Sequence, residues 1–115
     1  MIPYCNSKGI GLIPYSPLSG GSLSRPLSAT SLRADVAKGM PWEKELSQAD
    51  KVIISRVEEI AKKYNKSMAQ ISLSWVNSKV SSPIVGTSTV ERVRDNIFVG
   101  DFALSQEETA YLEEP

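Results

Sequence analysis

The chain has 115 residues, thirteen basic and thirteen acidic side chains, no histidine and one cysteine. This length fits one domain, and the zero formal charge supplies no basic field for nucleic acid or an anionic membrane. A single cysteine excludes an internal disulfide, and the lack of histidine excludes Ser-His-Asp triads, Cys-His dyads and histidine-based metal sites within the chain.

In chain order, residues 1–8 are expected to end a helix, with Gly9 and Gly11 suited to a left-handed stop. Leu12-Ile13-Pro14-Tyr15 then reads as a strand, kept short by its proline. Residues 16–46 are rich in Ser, Gly, Pro and Arg and hold no sustained period, the signature of a long functional loop, with Trp42 as its expected anchor.

The clearest helix is expected over 47–64. Ser47 or Asp50 can cap it, and Val52, Ile53, Val57, Ile60, Ala61 and Tyr64 recur at helical spacing. Glu58–Lys62 and Glu59–Lys63 are spaced to pair on its wet face. Ser67 with Gln70 forms a capping box for a second helix through about residue 78, apolar nearly all round and therefore largely buried. Residues 83–86 read as a second strand and about 89–97 as a helix, and Ser105 with Glu108 caps a last helix containing Leu112.

Strand, helices, strand, helix is a βαβα pattern and implies parallel strands. Two parallel strands leave both edges open, so the chain reads as a section of a larger α/β domain. No apolar run approaches the ~20 residues of a membrane span, and the expected setting is cytosolic.

Chemistry in such folds sits just past the carboxyl ends of strands. After the first strand come Ser16, Ser19, Gly20 and Gly21, whose hydroxyls and backbone N–H groups suit phosphate oxygens, although a plain turn fits them equally. Tyr15 can stack on a flat ring or serve as a rim aromatic. After the second strand, Gly86-Thr87-Ser88-Thr89 opens a helix whose dipole favours anions, with Arg92 one turn in. Arg92 and Asn96 share a face of that helix. Taken singly, Thr89 is an N-cap and Arg92, Arg94 and Asp95 a solvated face. Glu107, Glu108, Glu113 and Glu114 show no metal-ligand spacing, and no metal site is expected.

Together, Gly11-Leu12-Ile13-Pro14-Tyr15-Ser16-Pro17-Leu18, Met68-Ala69-Gln70-Ile71-Ser72-Leu73-Ser74-Trp75 and Pro83-Ile84-Val85-Gly86-Thr87-Ser88, followed by Glu91-Arg92, Asp95-Asn96 and Leu104-Ser105, resemble the C-terminal third of the aldo-keto reductase superfamily. The likeness is to its fungal, bacterial and potassium-channel-β-subunit-like branches, and it covers residues 1–115 as one partial domain. It implies an α/β fold: the C-terminal portion of an NADP-dependent oxidoreductase (β/α)₈ TIM barrel, two βα units plus a C-terminal helix. It implies NADP(H) as cofactor, with Tyr15 stacked on the nicotinamide and Ser16, Pro17, Leu18, Ser19 and Gly20 along the pyrophosphate. Arg25 and Arg33 resemble the loop residues that close over it. Gly86, Ser88 and Arg92 correspond to the pocket for the adenosine ribose and its 2′-phosphate, and Asp95 and Asn96 to the adenine contacts. Many relatives of this branch carry Gln where this chain has Arg92.

The resemblance further implies a small-molecule aldehyde or ketone as substrate, reduced by hydride from the nicotinamide. The family's tetrad of Asp, Tyr, Lys and His belongs to the first half of the barrel, so no residue of this chain is assigned a catalytic role. The alternative is a non-catalytic product or a cofactor-sensing regulatory module.

Overall fold

The computed structural model describes residues 1–31, 35–36, 38–40, 45–97 and 101–114. Among the described residues, the α-helices are, in chain order, α1 (Ile2–Ser7), α2 (Gln48–Tyr64), α3 (Met68–Lys79), α4 (Val90–Ile97) and α5 (Gln106–Glu113). Short 3₁₀ turns over Ser19–Ser24, kinked at the non-helical Gly20 and Gly21, interrupt the long loop. Trp42 and Arg33 lie outside the described residues.

Helix starts follow from side chains that satisfy the first free N–H groups. Ser47 caps α2, accepting from the Asp50 N–H while the Asp50 carboxylate accepts from the Ser47 N–H. Ser67 with Gln70 and Ser105 with Glu108 repeat this reciprocal box on α3 and α5. Asn65 ends α2 in the left-handed conformation, at φ 50°. Gly9 takes the left-handed stop after α1 at φ 65°, but Gly11 does not. Its role is proximity, because a Cβ there would lie 3.1 Å from Ser81 Oγ.

The core lies between α2, α3 and α5. Ile54, Val57, Ile60 and Ala61 of α2 pack with Met68 and Ile71 of α3 and Leu112 of α5. Helix α3 is buried nearly all round, as its composition requires, and its two buried serines bond to backbone on either side. Ser72 Oγ donates to the Leu23 carbonyl at 2.8 Å and Ser74 Oγ to the Phe102 carbonyl at 2.8 Å. A hydroxyl in a dry core needs such a partner.

The two strands expected from the sequence are not formed as strands among the described residues. They reduce to one parallel bridge, Tyr15 to Ile84. Ile84 N–H donates to the Pro14 carbonyl at 2.9 Å, while Ser81 and Ser82 N–H both donate to the Leu12 carbonyl. Pro14 and Pro83 carry no N–H, and neither segment has another strand beside it among the described residues, so pairing goes no further. The expected direction is right and the expected extent is not.

One expected surface pair also differs. Glu58 and Lys62 meet at 2.6 Å, but Lys63 turns away from Glu59 to the carboxylate of Glu108, at 2.6 Å. Glu108 is buried, and a buried carboxylate attracts a cation more strongly than one facing water.

Candidate functional site

The parallel bridge sets the two loop segments side by side. Tyr15 and Ile84 lie opposite each other, so both chains leave the bridge in the same direction. The Ser16–Gly21 turn and the Gly86–Thr89 turn therefore follow the bridge on the same side.

The first turn is held in an uncommon backbone. Ser16 and Ser19 have φ of 57° and 50°, and Gly20 and Gly21 have 66° and 96°. Left-handed non-glycine residues cost about 1–3 kcal/mol each and concentrate where a ligand is clamped. Internal bonds hold the turn: Ser19 N–H to the Ser16 carbonyl at 3.0 Å and Gly21 N–H to the Leu18 carbonyl at 2.9 Å. The Ser72 bond to Leu23 then anchors its far end to the core. Pro17 and Leu18 are half-buried at its base, Ser19 and Gly20 are exposed at its tip, and Tyr15 is 79% exposed.

Arg25 makes a bond within its own turn that its position in the sequence does not signal. Its Nη1 donates to the Gly21 carbonyl at 2.6 Å, so the guanidinium braces its own turn. Arg33 lies outside the described residues.

The second turn leads into α4. Thr89 Oγ1 accepts from the Arg92 N–H at 3.3 Å, the capping contact that starts the helix. Arg92 Nη1 reaches back to Ser88 Oγ at 3.0 Å, which brings a guanidinium and a hydroxyl together over the helix start. A guanidinium carries five N–H donors, so this bond leaves others for a ligand. Asn96 lies one turn further on, half-buried, and Asp95 is exposed. The Asp95 carbonyl accepts from Gln70 Nε2 at 3.3 Å, a contact between α4 and the start of α3. From sequence Gln70 is recognisable only as a capping residue, because no local pattern signals a bond across 25 residues.

The donor set suits a phosphate-bearing ligand: a guanidinium, hydroxyls, a helix N-terminus and an exposed ring at one edge. A Cβ built on Gly20 or Gly86 meets nothing within 4 Å, so packing within this chain demands neither glycine. The left-handed φ of 66° itself favours glycine at position 20, and at Gly86 the bare backbone is open to close approach. No group of three or more His, Cys, Asp or Glu among the described residues could hold a metal ion.

The family model for the aldo/keto reductase family matches residues 1–115. The chain belongs to the aldo/keto reductase family. It is similar to an aldo-keto reductase of Fusarium vanettenii, 45% identical in an alignment that covers 99% of this chain and 31% of the relative. It is 43% identical to the versiconal hemiacetal acetate reductase of Aspergillus parasiticus, over 100% of this chain and 35% of that protein. A solved thermostable aldo-keto reductase in complex with the inhibitor epalrestat aligns at a TM-score of 0.61 and 26% identity, covering 97% of this chain and 32% of that one. The chain thus spans about a third of the length of these relatives, and its fold likeness is to part of an aldo-keto reductase, the barrel family expected from the sequence. No helix among the described residues is long and apolar enough to cross a membrane.

Proposed function

We propose that residues 1–115 are the cofactor-binding C-terminal part of an NADP(H)-dependent oxidoreductase that reduces small aldehydes or ketones. The observation that carries this reading is the Tyr15–Ile84 bridge, since it sets the two turns side by side. Family membership supports it. In this reading Tyr15 lies against the nicotinamide and Ser16, Pro17, Leu18, Ser19 and Gly20 follow the pyrophosphate. Arg25 braces Gly21 beside the pyrophosphate, and Arg33 is assigned to the pyrophosphate by the family resemblance alone. Gly86, Ser88 and Arg92 take the 2′-phosphorylated ribose, while Asp95 and Asn96 border the adenine. When bound, the cofactor supplies the hydride for carbonyl reduction. This chain contributes binding and orientation, and the proton donor belongs to the part of the barrel that it does not include. The protein is read as cytoplasmic, without nucleic-acid or membrane partners.

Arg92 makes the reading testable, because it sets a positive charge where NADPH carries a phosphate and NADH does not. In the complete polypeptide, Arg92→Ala should weaken NADPH by about 1.5–3 kcal/mol and leave NADH nearly unchanged in a fluorescence titration. Equal losses for both cofactors would remove Arg92 from the 2′-phosphate pocket.

A further inference from the structure

Gln70 occupies the N3 position of α3, and its side chain makes two bonds of different kinds. Its Oε1 accepts from the Ser67 N–H at 3.0 Å, closing the capping box. Its Nε2 donates to the Asp95 carbonyl at 3.3 Å, in the last turn of α4. The first bond fixes the second: an amide whose oxygen must face the Ser67 N–H presents its NH₂ on the other side. The Asp95 carbonyl is among the last four of α4, which have no partner inside their own helix. The contact also brings the positive start of α3 to the negative end of α4, a favourable arrangement of dipoles.

Helix α4 needs such a tether. None of its residues is buried, and Val90, Val93 and Ile97 are all exposed, so the core scarcely grips it. Yet it carries Arg92, Asp95 and Asn96. We propose that Gln70 is a positioning residue for the cofactor, holding α4 and hence Arg92 and Asn96 in register with the Ser16–Gly21 turn. This rests on the proposed function above. Gln70 itself touches no ligand.

Gln70→Glu separates the two bonds. A glutamate oxygen still accepts the Ser67 N–H, so the cap and α3 persist, but no proton remains for the Asp95 carbonyl. In the complete polypeptide, NADPH affinity should fall about fivefold, the equivalent of one neutral hydrogen bond. Thermal stability should stay unchanged, and amide exchange should rise across Val90–Ile97 but not across Met68–Lys79. Unchanged exchange in α4 would overturn the tether, and faster exchange with unchanged NADPH affinity would overturn the positioning role. The loss should also persist at high salt; a loss abolished by salt would mean that the new carboxylate repels the cofactor and would equally overturn it. Arg92→Ala, measured in parallel, isolates the reading beneath: if it leaves NADPH binding intact while Gln70→Glu loosens α4, the 2′-phosphate assignment fails and the tether stands.

Discussion

Glu108 ties the start of α5 to the end of α2. Its Oε2 accepts the Ser105 N–H at 3.0 Å at the start of α5, and its Oε1 accepts from Lys63 Nζ at 2.6 Å and the Tyr64 hydroxyl at 2.7 Å at the end of α2. Burial alone would push this carboxyl up, but the Lys63, Ser105 and Tyr64 bonds outweigh it and hold the group at about 2, against an ordinary 4.5. A depressed carboxyl stabilises the fold above its unfolded value and loses that contribution as pH falls through its folded value. Stability should therefore decline between pH 4.5 and about 2. The amount is on the order of 2 kcal/mol, reduced because Lys63 is exposed to water. Glu108→Gln should destabilise by about 1.5–3 kcal/mol near neutral pH and flatten that acid limb, read by urea unfolding at a series of pH values. A variant with the wild-type acid limb would show that other carboxylates control it.

At the scale of elements, α3 is the axle. Ser72 and Ser74 point to opposite partners, Leu23 in the 3₁₀ segment and Phe102 before α5, so one buried helix fixes both the turn after Tyr15 and the approach to α5. Ser72→Ala leaves the Leu23 carbonyl unpaired and should cost about 1–3 kcal/mol with faster amide exchange in Ser19–Ser24. Ser55→Ala is the comparison: its hydroxyl bonds the Lys51 carbonyl four residues back on an exposed helix face, and its removal should leave stability within about 0.5 kcal/mol. Equal effects in thermal melts would mean that the buried bond contributes nothing special.

The helices were legible because their signals are local. Ser67 with Gln70 and Ser105 with Glu108 cap the helices expected of them, and of the two candidates before α2, Ser47 is the cap and Asp50 its partner. The 3₁₀ segment was missed, since Ser-Gly-Gly-Ser-Leu-Ser has neither helical nor strand period and takes its shape from left-handed glycines and from Ser72. Strands depend on neighbours rather than on their own residues, so Ile13 and Ile84 could announce a strand without being able to complete one. The two site segments could be named from sequence because each is a short local pattern, but the Arg25 bond to Gly21 could not, because nothing local says whether an arginine reaches outward or bonds the carbonyl four residues back.

The whole molecule exposes more than a closed domain would. Its accessible surface is 7912 Å², whereas a compact monomer of 12.6 kDa exposes about 6,200 Å². Its radius of gyration, 14.5 Å, likewise exceeds the ~13 Å of a compact domain near this length. The excess lies partly on the bridge, where Ile13 and Ile84 are 67% and 52% exposed. Residues 1–115 expressed alone should be marginally folded and prone to aggregate, should bind NADPH weakly at best, and should reduce no carbonyl substrate. Helices α2 and α3 should survive best. Circular dichroism melts and NADPH oxidation with an aldehyde panel test this, and a cooperative high-temperature melt with turnover would refute it.

The bridge also has a place in time. Leu12 N–H and Ser81 Oγ, bonded beside it, are 69 residues apart in the chain, while α2 and α3 are successive helices joined by a tight cap. A newly made chain can assemble the helical pair as soon as its residues exist, but closing the longer loop must wait for almost the entire stretch and costs more entropy. The edge built on the bridge should therefore form after the α2–α3 pair and open before it. Disturbing it shortens the lifetime of the finished site and leaves the birth of the helices untouched.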